Sequence, residues 1–106
     1  MASPKTWVTV LASGKIKPGE IAAAKHGDID LAIYNIDGTY YATDGMCTHA
    51  MAALSEGFLE GDVVECPLHA GAFEVKTGKA VCLPAVDDLR TYPTRVVGSD
   101  IQVQIE

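Results

Sequence analysis

Two short boxes of this 106-residue chain hold side chains suited to metal and redox chemistry: Cys47-Thr48-His49 and Cys66-Pro67-Leu68-His69. Sixteen residues separate His49 from Cys66. Two soft thiolates and two imidazoles in mixed pairs suit a 2Fe–2S centre whose cysteines hold one iron and whose histidines hold the other. An iron pair held this way changes oxidation state without changing ligands, so its chemistry is one-electron transfer. With two ferric irons, two sulfides and two thiolates, such a centre is neutral when oxidised and singly negative when reduced. An all-cysteine cluster starts doubly negative, so histidine ligation raises the potential relative to it.

Other readings of the same residues stay open. A structural zinc site also takes two cysteines and two histidines. Its usual order pairs like with like, whereas each box here mixes the two, and the first has only one intervening residue. A thiolate–imidazole nucleophile at Cys47/His49 or Cys66/His69 would have to arise twice in one small chain. A purely structural role leaves the repeated Cys-plus-His pairing unexplained. His26, in Lys25-His26-Gly27-Asp28, has no matching cysteine and reads as exposed and inert.

The elements that must position these boxes are short and β-like. Apolar or alternating runs occur at Trp7–Leu11, Leu31–Asn35, Thr39–Thr43, Val63–Cys66, Thr91–Val96 and Ile101–Ile105, separated by Gly, Pro and Asp turns. Asp37-Gly38 between two runs is a hairpin signal. Ile21–Lys25 has helical propensity but is too short before Gly27, and reads as the start of a strand. The pattern predicts an all-β chain of antiparallel sheets, a sandwich or small barrel. Each box then lies on a loop at a hairpin tip, Cys47 beyond the strand ending at Thr43 and Cys66 at the end of its own strand.

Size and charge narrow the function. A chain of 106 residues with 48% apolar content is one small domain, 1–106, with enough material for a core. No apolar run is long enough for a membrane span, and the N-terminus lacks a signal-peptide core, so the expected location is the cytoplasm and the expected state a monomer. Three cysteines cannot all pair internally, which fits a reducing compartment. Cys82, in Ala80-Val81-Cys82-Leu83-Pro84, reads as a small buried hydrophobe near the site. Net charge is −6, and residues 26–75 contain nine acids and neither Lys nor Arg. That stretch holds both boxes. Nucleic acid and anionic membrane are therefore poor partners, and a basic docking face on another protein is a good one.

The boxes and their surroundings resemble the Rieske ferredoxins, in particular the small soluble ferredoxins of bacterial aromatic-ring-hydroxylating dioxygenase systems. The resemblance is carried by Tyr41-Ala42-Thr43-Asp44 before the first box, Gly57-Phe58-Leu59-Glu60-Gly61 between the boxes, Glu65 leading into the second, then Phe73-Glu74-Val75, Thr77-Gly78-Lys79-Ala80 and Pro84. It extends over about residues 5–106. It implies antiparallel sheets in a Rieske-like sandwich with an inserted cluster-binding subdomain, approximately 44–84. It implies one 2Fe–2S cluster, with Cys47 and Cys66 on the buried iron and His49 and His69 on the outer iron, and a covering loop at Pro84. It also implies partners: a flavin-dependent ferredoxin reductase that draws on NADH, and a terminal Rieske non-haem iron oxygenase. The exposed tip would join the histidines to Met46, Ala50, Met51, Leu68 and Leu83. The small Rieske subunit of an assimilatory nitrite reductase is an alternative, and a zinc-binding interaction module a remoter one.

Departures from the respiratory branch of that family matter for the potential. Ala52 and Leu68 stand where a disulfide would link the two cluster loops. Gly71 and Phe73 stand where serine and tyrosine hydroxyls would face the cluster sulfurs. Loss of such donors destabilises the reduced state, and the surrounding acids act in the same direction. The expected potential is the low end of the Rieske range, roughly −150 mV.

Overall fold

A computed structural model describes residues 6–47, 52–68, 71–83 and 87–105. The strands in order are β1 (Thr6–Ala12), β2 (Ile21–His26), β3 (Ile29–Ile36), β4 (Thr39–Asp44), β5 (Phe58–Glu60), β6 (Val63–Glu65), β7 (Ala72–Glu74), β8 (Ala80–Cys82), β9 (Thr91–Tyr92), β10 (Thr94–Val97) and β11 (Asp100–Ile105). They form three antiparallel sheets in the orders β1-β11-β10, β2-β3-β4-β9 and β5-β6-β7-β8. The all-β reading holds, and the third sheet is inserted in sequence between β4 and β9 of the second.

β3 organises the molecule. Its residues Leu31 to Asn35 are all buried, because both faces of the strand are covered. Leu31 and Ile33 face one way, into a core shared with Ile16, Ala42, Tyr92, Ile101, Val103 and Ile105. Ala32 and Tyr34 face the other way, into a core shared with Leu54, Val64, Phe73, Val75 and both box cysteines. A strand covered on both sides needs an unbroken apolar run rather than alternation, which explains Leu-Ala-Ile-Tyr. The buried polar residue that follows is satisfied: Asn35 donates to the Ile16 carbonyl at 3.1 Å and accepts from the Gly38 N–H at 2.9 Å. The β3–β4 hairpin turns at Asp37 and Gly38 with φ of 53° and 87°, the paired left-handed conformation that Asp-Gly supports.

Two local expectations differ from the structure. β6 ends at Glu65, so Cys66 is the first residue of the following loop. Cys82 is exposed. Across β7 and β8, Phe73 pairs with Ala80 and Ala72 with Cys82, and Phe73 belongs to the core. Regular alternation would put Cys82 on the inward face of Ala80, but the register shift between Ala72 and Phe73 sets it opposite outward-facing Ala72 instead. Ile21–His26 is a strand, antiparallel to β3, and His26 at its end is exposed.

Candidate metal centre

Each box hangs on a loop tied at its neck by the same kind of bond. The Cys47 N–H donates to the Ala52 carbonyl at 2.9 Å, and the Cys66 N–H donates to the Gly71 carbonyl at 2.7 Å. Both bonds join a cysteine to the residue five positions later. Below the first neck, the Met46–Ala53 bridge and the Leu54 N–H to Gly45 carbonyl bond (2.8 Å) continue a short antiparallel ladder. Below the second lies the β6–β7 pairing of Glu65 with Ala72. The spacing differs, C-x-H against C-x-x-H, while the closure is alike.

The two thiols are 6% and 2% exposed, belong to one core cluster, and are not disulfide-bonded. Tyr34, Leu54, Val64, Phe73 and Val75 make up the apolar surroundings that keep water from them. His49 and His69, with Ala50, Met51 and Pro84, lie outside the described residues. Among the described residues no metal-ligating group of three or more side chains forms. Two soft sulfur donors buried in one apolar core cluster fit the inner half of a 2Fe–2S cluster. Gly71 and Phe73 are buried and bring no hydroxyl to this surround.

The roots of the loops are held by polar contacts that the sequence reading did not single out. The Tyr34 hydroxyl and Thr43 Oγ1 are 2.8 Å apart, and Thr43 Oγ1 donates to the Asp44 carbonyl at 2.9 Å. The Tyr92 hydroxyl donates to Asp44 Oδ1 at 2.6 Å. Burial, and then the Asp44 carboxylate, push the Tyr92 pKa up to about 12, and burial raises that of Tyr34 as well. The Asp44 N–H donates to the Arg90 carbonyl at 2.9 Å, which joins the first loop's root to the chain leading into β9. These tyrosines look in sequence like ordinary strand residues, and nothing local marks their hydroxyls as anchors. Gly57 packs on the Glu65 carbonyl so closely that a Cβ there would collide with it. The approach seats β6 directly ahead of Cys66.

The expected apolar tip is partly described. Leu68 and Leu83 are 46% and 75% exposed. Met46 is half-buried and lines a depression of about 380 Å³ with Asp28, Asp30, Asp44 and Arg90.

Residues 6–93 match the Rieske [2Fe-2S] domain. The chain belongs to this family. A ferredoxin component of naphthalene 1,2-dioxygenase/salicylate 5-hydroxylase systems from a Ralstonia species is 39% identical over 96% of this chain and 98% of its own length. The 3-phenylpropionate/cinnamic acid dioxygenase ferredoxin subunit of Shigella boydii is 54% identical over 71% of this chain and 72% of its own. The ferredoxin-like match in a solved complex of reduced oxygenase and oxidised ferredoxin of carbazole 1,9a-dioxygenase has a TM-score of 0.86 and 40% identity, covering 92% of this chain and 91% of that one. The protein is a Rieske ferredoxin: an electron carrier with one Rieske 2Fe–2S cluster, rather than an oxygenase.

Proposed function

We propose that this ferredoxin carries single electrons from an NADH-dependent flavin reductase to a terminal aromatic-ring-hydroxylating oxygenase. In this reading Cys47 and Cys66 hold the inner iron, His49 and His69 hold the outer iron, and approximately residues 44–84 form the cluster-binding subdomain. When bound, the cluster supplies a one-electron acceptor and donor that keeps its ligands through the cycle. The chain's own work is to fix the sulfur donors, exclude water from them and present a small contact surface. The observation that carries the reading is the pair of buried cysteines at the necks of two alike loops, each with a histidine two or three residues on. Exposed Leu68 and Leu83 suit a brief electron-transfer contact, of a kind that buries under about 1,200 Å². Among the described residues no helix is long and apolar enough to cross a membrane. We take the protein to act as a cytoplasmic monomer.

The relatives' names favour the dioxygenase role over the nitrite reductase alternative. Iron and acid-labile sulfide should be present in about equal amounts, and low-temperature EPR after dithionite should show the reduced cluster. Adding the holoprotein to a reductase and an aromatic dioxygenase should restore turnover, and adding it to a nitrite reductase catalytic subunit should not. The reverse pattern overturns the dioxygenase assignment. An iron-free, colourless protein made with ample iron and sulfide overturns the ligand set. Because Gly71 and Phe73 carry no hydroxyl, redox titration should give a midpoint near the low end of the Rieske range, and Phe73→Tyr should move it upward. A midpoint above zero refutes the hydroxyl argument.

A further inference from the structure

The sheet β5-β6-β7-β8 has one covered face and one open face. Leu59, Val64, Phe73 and Ala80 turn inward to the core that holds the cysteines. The residues between them share the outer face: Phe58 opposite Glu65, Glu65 opposite Ala72, and Glu60 opposite Val63. These five line a depression of about 330 Å³. Phe58 is 65% exposed, an aromatic ring standing at its edge. Among the described residues neither Glu60 nor Glu65 has a side-chain hydrogen bond or an ion pair, and residues 26–75 contain neither Lys nor Arg.

Strand alternation adds a connection to the site. Glu65 points outward and the next side chain, Cys66, is buried inward. A protein seated on this face is therefore one residue of backbone from a sulfur donor. We propose that this outer face is a second docking surface, fitted to a redox protein that presents lysines or arginines around an apolar socket for Phe58. The inference rests on the electron-carrier reading and extends it, since it gives the carrier a contact face on the strands β5 to β7. One electron crosses, no bond is made or broken, and the partner's centre changes oxidation state by one. Unpaired carboxylates steer a basic partner over distance, and a protruding aromatic supplies the short-range anchor.

Ferric cytochrome c, a small basic haem protein that accepts one electron, is a suitable probe. Its affinity for the holoprotein is measured by calorimetric titration, and its reduction by the dithionite-reduced, desalted holoprotein by stopped flow. Phe58→Ser should weaken binding roughly tenfold at low and at high salt. The double variant Glu60→Gln/Glu65→Gln should weaken it several-fold at low salt and converge with the parent at about 0.5 M salt, where exposed charges are screened. Leu83→Ser probes the tip. All variants should keep the parent's visible spectrum and melting temperature, because the altered side chains are exposed or lie on the open face. Parent-like affinity in Phe58→Ser and in the double variant, or loss confined to Leu83→Ser, overturns the docking face. The carrier reading is tested separately on the same preparation: failure to be reduced by dithionite overturns that reading and this one together, whereas normal reduction with unaffected binding overturns only the face.

Discussion

The body formed by the two larger sheets and the lobe formed by β5–β8 solve the same problem differently. The body's strands β1, β2, β3, β4 and β11 run six to eight residues, and its core is made of Ile, Leu, Val, Ala and Tyr. The lobe's strands are three residues each, and its core includes two cysteines. Short strands make few ladder bonds and bury little apolar surface, so a metal centre bound by the lobe stabilises it in a way the body does not need. The two cores meet at β3. The lobe leans on Ala32 and Tyr34 of β3, while the body's core contains no residue from β5 to β8.

The largest test removes a ligand. Cys66→Ser should abolish cluster incorporation, with iron, sulfide and visible absorption all lost, while far-UV circular dichroism keeps the strand signal of the body. Complete unfolding would show that the body depends on the lobe after all. Next in size is Ile33→Ala, which empties a fully buried site on the body side of β3. Deletions of this kind cost about 2–5 kcal/mol, and here cluster absorbance and strand signal should be lost together in a denaturant titration. Gly57→Ala should cost less, about 1–3 kcal/mol, because the Glu65 carbonyl has to give way to the new methyl group. Its effect should fall on the lobe first, seen as faster bleaching of the cluster on warming.

How legible each region was follows from the same contrast. β1, β3, β4 and β11 are long enough for periodicity or an apolar run to show, and Asp37-Gly38 marks the turn between β3 and β4. Three-residue strands have no period to read, so β5, β7 and β8 were not identifiable. Apolar composition around Cys82 concealed its outward register. The ligand types were plain in the sequence because thiolate and imidazole chemistry is rare and the spacing repeats. The anchoring hydroxyls of Tyr34 and Tyr92 were not, because their partners lie 9 and 48 residues away along the chain.

The smallest expected effect concerns pH. Tyr92 has its pKa raised from 10.0 to about 12 in the folded protein. Its neutral form is the one the fold favours, so this contribution is intact below pH 10 and is lost as pH rises towards 12. Tyr92→Phe should remove part of that alkaline loss while costing about 1–2 kcal/mol at neutral pH through the missing bond to Asp44. Parallel alkaline melting curves for parent and variant would show that the raised pKa has no bearing on stability.

β3 belongs to both cores, so losing the lobe would uncover Ala32 and Tyr34 while Leu31 and Ile33 stay covered by the body. On the outcome expected for Cys66→Ser, damage that strips the metal strikes the lobe while the frame persists. A spent molecule of this design is then a folded receptacle ready to be refilled, and repair needs iron and sulfide rather than new synthesis.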